Sequence, residues 1–503
     1  VAQPIIFGSV LAYTGLLFAI AYLADRRRLS DPSARRNIIV YGLSIAVYCT
    51  SWTFYGAVGT AEARGWEYLP IYLGPAIIFS AGYPLLSRMV EIGKRIHTTS
   101  IADFLSAHYQ KSQALAALVA SIAVVGAIPY IALQLKSVAT TYEYIAPQST
   151  TSDDAGGVFF VAVILAAFAI IFGTRHIDIT RHNRGMIAAI AFDSVIKLVA
   201  LLAVSIYAFL LMQSGGETLS LDAASPFKTP ISIDRFITLT VLSMAAILCL
   251  PRQFHVTVVE CQDAKALRPA SALFLIYLLL ISFLVVPIAS AGRAATSLAD
   301  VSPDLMVLAL PLAAGADWLA LLVFVGGFAA ATGMVIVASV ALSTMITNDL
   351  VAPFLLRDAP RRTLSSSFGL RLLYVRRVSI AAITLASAVF AAYAPQGQQL
   401  ASFGILSFAA AAQFLPALIG ALYWKRAHLF GAVAGMGAGF TLWLLCLIFP
   451  SYFGATANAV SALTSWLDFT GWDALTRGVA VSLGADLGLK KWSGMRARIW
   501  FNS

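Results

Sequence analysis

The chain has 503 residues, 59% of them hydrophobic and 12% charged, with 34 Lys and Arg against 24 Asp and Glu for a net charge of +10. So apolar a chain has no soluble globular alternative. Its basic excess falls in short loops between apolar runs, so it reads as membrane topology and excludes a nucleic-acid partner.

Twelve apolar runs follow in order: Pro4–Ala24, Ile38–Gly59, Leu69–Met89, Ala114–Ile145, Gly157–Gly173, Met186–Met212, Phe236–Phe254, Ala270–Ala291, Trp318–Met345, Ser379–Ala394, Leu400–Trp424 and Phe430–Phe449. A helix rises about 1.5 Å per residue, so about 20 apolar residues cross the hydrocarbon of a bilayer. Most runs reach that length, which predicts an all-α polytopic membrane protein of 12–13 transmembrane helices. The first run has no basic stretch before it and is too long for a signal peptide. Alternate loops are basic (Arg26 to Arg28, Arg35, Arg36, Lys94, Arg95, Arg175, Arg181, Arg357 to Arg377, Lys425, Arg426), and those between are acidic (Asp153, Asp154, Asp222, Asp300, Asp317). Positive loops stay inside, so the N-terminus is expected outside and the C-terminus in the cytoplasm, in a multi-pass protein of the bacterial inner membrane.

Two runs carry signs of a break. The second contains SWTFYGAVG, Ser51 to Gly59, with glycines at 56 and 59; the seventh contains LCLPRQFH, where Pro251 removes a backbone donor. Four runs lie between them, so each opens a five-helix unit, and an odd number of crossings inverts the second unit. Transporters of this kind bind solute where the two broken helices face each other; glycine and proline are also common in unbroken membrane helices. After Pro450 comes a mixed stretch. The short run Leu475–Leu489, carrying Asp486, then reads as a weak thirteenth helix before a basic tail from Lys490 to Arg498. The organisation expected is a peripheral N-terminal helix and basic loop over 1–36, a transporter core over 37–424, and additional C-terminal helices with a basic tail over 425–503.

The cysteines, Cys49, Cys249, Cys261 and Cys446, are far apart and give neither a disulfide framework nor a metal-ligand spacing. With no phosphate loop, HExxH or nucleophile triad, no enzyme activity and no cofactor are expected. Lys136, Asp193 and Lys197 lie inside apolar runs, where an ionisable group costs at least about 2.5 kcal/mol and needs a partner or a purpose. Asp193 and Lys197, four apart, share a helix face within ion-pair reach. Lys136 sits nearer its helix end and can partly snorkel.

Three segments resemble the solute:sodium symporter family: HTTSIADFLSAHY (His97 to Tyr109), STMITNDL (Ser343 to Leu350) and PALIGALYWKRAHLFGAVAGMGAG (Pro416 to Gly439). The resemblance implies the leucine-transporter-like fold of two five-helix inverted repeats, with an extra N-terminal helix. CTSWTFYGAVG (Cys49 to Gly59), PYIALQLKSVA (Pro129 to Ala139), FGTRHID (Phe172 to Asp178), LPRQFHV (Leu250 to Val256) and ATGMVIVASVALSTMITNDL (Ala331 to Leu350) resemble a subgroup more closely. In that subgroup the symporter-like module is the N-terminal half of bacterial sensor histidine kinases. Two functions follow as expectations: secondary transport of a small organic solute, or solute sensing for cytoplasmic kinase domains and a response regulator.

The resemblance also implies a sodium site between carbonyls of the first core helix, at Ala46 and Cys49, and side chains of the eighth. The matching positions there, Ala330, Gly333 and Met334, carry no oxygen ligand for a hard cation; Thr332 is one position off. Either Na+ or H+ is then the coupling ion. Lys197, paired with Asp193, is expected to supply the missing positive charge, since a lysine held out of water can load and release a proton; a permanent structural ion pair is the alternative. For the solute, the breaks bring Trp52, Tyr55, Pro251 and Arg252 inward, beside Tyr130 and Gln134. Aromatic walls with few polar groups suit an amino acid or a short carboxylate. Arg252 either pairs with a carboxylate or simply reaches the membrane interface. Gln134 is either a ligand contact or an interhelical hydrogen bond. The remaining partner expected is the lipid bilayer.

Overall fold

A computed structural model describes residues 1–26, 34–146, 154–173, 183–214, 225–261, 263–357, 366–394, 399–424, 427–449 and 475–487. Most of the segment FGTRHID, the mixed stretch after Pro450 and the basic tail lie outside the described residues. Among those described, the secondary structure is helical and no strand occurs.

The helices are α1 (Gln3–Arg26), α2 (Ala34–Ile45), α3 (Ala57–Arg64), α4 (Pro70–Phe79), α5 (Tyr83–Arg95), α6 (Ile101–His108), α7 (Gln113–Ile145), α8 (Asp154–Gly173), α9 (Arg184–Ser214), α10 (Ile233–Cys249) and α11 (Pro251–Phe254). There follow α12 (Ala264–Ala294), α13 (Met306–Ala313), α14 (Asp317–Met345), α15 (Ala352–Arg357), α16 (Ser366–Ala392), α17 (Leu400–Ala412), α18 (Leu415–Tyr423) and α19 (Leu429–Trp443). Eight described helices are long and apolar enough to cross a membrane, and two bent pairs bring the number to ten. Large apolar side chains such as Leu11, Phe209, Phe283 and Leu385 point outward from them, as a lipid-facing surface requires.

Both predicted breaks are present. The segments Arg36–Tyr48 and Trp52–Tyr68 meet at 72°, and Ile233–Cys249 and Pro251–Val259 meet at 51°. The fold is a five-plus-five inverted-repeat helical bundle, with α2 and α10 opening the two units. Three runs differ in detail from their sequence expectation. Leu69–Met89 is divided into α4 and α5 by a turn at Ser80 to Gly82. The apolar part of the fifth run, Gly156–Ile171, is shorter than a full span. The run expected from Ser379 begins at Ser366, because Arg371, Arg376 and Arg377 ride on α16 rather than in a loop; the buried Arg376 donates to Thr344 Oγ1 at 3.1 Å.

Packing follows membrane rules, with small residues where helix backbones meet. Helix α9 packs on α14, α1, α12 and α2, and α7 packs on α17, α16 and α14. A Cβ on Gly326 would come within 2.5 Å of Ala200, and one on Gly126 within 2.6 Å of Ala410. Residues 475–487 are helical and dock on α17 and α19: Ser482 Oγ donates to Gly439 O at 2.7 Å, and Gln413 Nε2 donates to Ser482 Oγ at 2.8 Å.

Candidate functional site

The first break is built by an extended residue. Cys49 leaves the helix with φ −77° and ψ 103°, and the chain resumes through a π-helical turn at Trp52–Gly56. Gly56 itself has ordinary helical angles, φ −66° and ψ −24°, so its part is close approach: a Cβ there would come within 2.9 Å of the Trp52 ring. At the second break Leu250 is extended, φ −61° and ψ 129°, and Pro251 starts the next helical piece.

Breaking a helix strands carbonyl oxygens that must find donors. Lys197 on α9 donates to Cys49 O at 2.7 Å and to Ala46 O at 3.3 Å. Arg252 Nη1 donates to Val47 O at 2.8 Å, Gln253 Nε2 to Ile45 O at 3.1 Å, and Thr53 Oγ1 to Thr50 O at 2.8 Å. On the donor side, Ser51 N donates to Gln134 Oε1 at 3.1 Å, and Gln134 Nε2 donates to Tyr130 O at 3.3 Å. Gln134 therefore spends both ends of its amide on the protein and caps the unwound stretch.

Lys197 and Asp193 are 3% and 2% exposed. Rather than closing a direct ion pair, Lys197 turns to the carbonyls of the break, while Asp193 Oδ1 accepts a hydrogen bond from the Tyr13 hydroxyl of α1. The two remain within each other's field. Asp193 Oδ2 lies over Gly333, where a Cβ would come within 2.6 Å of it. Ala330 and Met334, on the same helix α14, are buried and carry no oxygen ligand in their side chains, and Thr332 donates into its own helix at Phe328 O, 2.6 Å away. The Lys197 amino group thus sits on the carbonyls of Ala46 and Cys49, and the Asp193 carboxyl group fills the space left by Gly333.

Of the other residues expected at the site, Trp52, Tyr130, Pro251 and Arg252 gather at the breaks. Trp52 lies 4.8 Å from Phe408 and 6.3 Å from Tyr130, centroid to centroid. Two of these rings line separate recesses. One, of about 90 Å³, is lined by Trp52, Thr60, Glu67, Arg235, Gln399 and Ser402. The other is lined by Tyr130, Pro251, Arg252, Met334 and Ala338. Tyr55 is not in either: it points the other way, its hydroxyl seated on Gly327 and donating to Val323 O at 3.4 Å. Lys136 is also elsewhere, its ammonium 5.5 Å from the Phe403 ring. Arg252 does not reach an interface; it is 2% exposed, with its guanidinium 4.5 Å from the Tyr130 ring centroid.

Sequence reasoning missed Tyr13, Gln253, Phe408 and Asp304. A hydroxyl ten residues into the apolar run Pro4–Ala24 was a legible signal for Tyr13, because a phenol in hydrocarbon needs an acceptor. Asp304 ties together two segments that border the first recess: its Oδ2 accepts from Leu400 N at 2.8 Å, at the start of α17, and its other oxygen lies against Gly59. At the far end Glu260 accepts from Asn183 N at 3.2 Å and lies 3.4 Å from His255. Removing the Asp304 latch should open the first recess. A cysteine placed at Ser402 is expected to react with a thiol reagent about tenfold faster in the Asp304→Ala background, the size of one charge-assisted hydrogen bond. The native cysteines are all buried and keep the background low; an unchanged rate would remove Asp304 from the closure.

No known family profile matches the chain. Over 483 residues it is 23% identical to the uncharacterized symporter YodF of Bacillus subtilis (strain 168), covering 88% of this chain and 89% of that protein. Among solved structures it is similar to a Na+-coupled sialic acid symporter in a substrate-bound outward-open state, with a TM-score of 0.63 and 13% identity over 97% of both chains. It also resembles the manganese transporter of Eremococcus coleocola, with a TM-score of 0.50 and 17% identity over 94% of this chain and 97% of that one. At these identities the shared property is the fold.

Proposed function

We propose that this chain is a secondary transporter that carries a small organic solute, an amino acid or a short carboxylate, across the bacterial inner membrane. Protonation of Lys197 takes the place of sodium binding. The observation that carries the reading is the Lys197 ammonium on the carbonyls of Ala46 and Cys49, at 3.3 and 2.7 Å. A protonated lysine has the unit charge of Na+ and, unlike a metal ion, is delivered by its own helix. When charged it ties α9 to the break in the first core helix. Once deprotonated it loses the charge that holds those carbonyls, and the tie loosens. Alternation between two such arrangements, each biased by bound solute and proton, is what coupled transport needs.

The symporter relative and the Na+-coupled structural neighbour support the transport class. Two recesses, one lined by Trp52 and the other by Tyr130, two rings of the same aromatic cluster, support a path past that cluster. The solute sits beside that cluster, between Trp52 and Arg252. Proteoliposomes with an imposed pH gradient and no sodium test the reading. Accumulation of a labelled solute above its outside concentration is the expected result. Binding without accumulation is the result for a sensing module that reports occupancy to cytoplasmic kinase domains, and it would overturn transport.

A further inference from the structure

We propose that the solute is a monocarboxylate without an ammonium group, held by the free edge of Arg252 and carried together with one proton in an electrically neutral step. This rests on the transport reading above and narrows it to one class of solute. The Arg252 guanidinium spends Nη1 on Val47 O, whereas its Nε and Nη2, both out of contact with solvent, have no hydrogen-bond partner. Those two groups form one side of the guanidinium fork, the side that takes a carboxylate through two parallel hydrogen bonds. A buried donor left unmade costs free energy that such a ligand recovers. Beside Arg252 lies a small apolar recess of about 10 Å³, lined by Ala127, Tyr130, Leu250, Pro251, Met334, Ala338 and Leu342, which must widen to admit a ligand to the buried guanidinium edge. Its apolar lining, once widened, matches a short apolar tail.

At the first break the stranded carbonyls that an ammonium would seek are already committed, and the unpartnered acceptor beside Arg252 is the neutral amide oxygen Gln253 Oε1. A broken helix ordinarily offers its stranded carbonyls to a cation. Here those of Ile45, Ala46, Val47, Cys49 and Thr50 are taken by Gln253, Lys197, Arg252, Lys197 and Thr53. The Asp193 carboxylate is engaged by Tyr13 on the far side of Lys197. An amino acid would bring its ammonium to carbonyls that already hold donors.

Charge counting gives the coupling. Lys197 lies within the field of both Asp193 and Arg252, and the other titratable groups around the three are Cys49, Tyr13, Tyr48, Tyr130 and Tyr277, a thiol and phenols that are uncharged at neutral pH. Arg252 stays protonated. With Lys197 protonated and a monocarboxylate bound, two positive charges meet two negative ones. With the solute gone and the proton released from Lys197, Arg252 and Asp193 balance alone. Solute alone or proton alone leaves a net unit charge in a low-dielectric core, and such a charge opposes the conformational change. A zwitterion with Lys197 protonated leaves the same imbalance. Strict one-to-one coupling then follows from electrostatics.

Isothermal titration of the purified full chain tests this with propionate against L-alanine and butyrate against L-2-aminobutyrate, pairs that differ by an ammonium group. Each carboxylate is expected to bind at least about tenfold tighter than its amino acid, with uptake of up to one proton per ligand, read from buffers of different ionisation enthalpy. Arg252→Gln should weaken propionate by about tenfold or more while Arg252→Lys falls between, and a thermal melt establishes that both variants are folded. Amino acids binding as well as the carboxylates, propionate binding equally to folded Arg252→Gln, or no binding by any of the four would overturn the assignment. Propionate binding with proton uptake but no accumulation of labelled propionate or lactate above the empty-liposome level would overturn transport and the neutral coupled step, and leave only the Arg252 carboxylate site standing. Accumulation of alanine would do the reverse.

Discussion

Lys197→Met is expected to reduce proton-driven accumulation to about one hundredth of wild type or less, whatever the sodium concentration. Methionine keeps the unbranched stem of the side chain and removes the terminal nitrogen with its charge and donors. Cys49 O and Ala46 O then lose the ammonium that holds them at 2.7 and 3.3 Å, and Asp193, 2% exposed, is left with the Tyr13 hydroxyl alone. Removing one member of a buried charge set costs about 3–5 kcal/mol, and 3 kcal/mol is about a hundredfold in an equilibrium. The melting temperature in detergent should fall accordingly. Adding Asp193→Asn to the same chain removes the orphaned charge, so the double variant should recover most of the stability and none of the accumulation. A permanent structural pair predicts the opposite pattern, in which regained stability restores transport.

Gly327→Ala is expected to destabilise the bundle by about 3 kcal/mol, the upper end for overpacking a tight interior. The added Cβ would overlap the Tyr55 hydroxyl and ring, and the neighbouring Gly326 already lets α14 lie against Ala200 of α9. Neither wall can retreat, because Tyr55 is 1% exposed and its hydroxyl is directed at Val323 O one turn away. If Tyr55 is the obstacle, the same glycine substitution in a Tyr55→Ala background should cost less than about 1 kcal/mol by the additivity argument for touching residues. Equal costs in the two backgrounds, measured as melting shifts of the purified protein, would place the obstacle elsewhere.

Much of the architecture was legible because a bilayer imposes a length and an apolar composition on each crossing. Pro251 marked its break through the missing backbone donor. The glycines at 56 and 59 marked theirs for a different reason from the one that acts, since both serve close approach to Trp52, Leu400 and Asp304 rather than unusual dihedrals. Lys197 and Asp193 stood out because an ionisable residue in hydrocarbon demands a partner. Which partner was not legible: Tyr13 is 180 positions from Asp193, and Lys197 reaches carbonyls 148 and 151 positions away. The orientation of side chains within the break was equally hidden. The π-helical turn sends Trp52 towards Phe408 and Tyr55, three residues on, towards Val323. Arg252 looked like an interface residue by its place near the end of a run. The 51° bend and its hydrogen bond to Val47 keep it inside.

The most direct test follows protons rather than solute. Proteoliposomes containing a trapped pH-sensitive dye, in sodium-free buffer, receive lactate outside, and the rate of internal acidification is compared for wild type, Lys197→Met and empty liposomes. Acidification by wild type, unaltered by added sodium and reduced to the empty-liposome rate in Lys197→Met, is the result expected if the lysine ammonium stands in for the cation. Acidification that requires sodium, or that persists undiminished without the lysine, would contradict it.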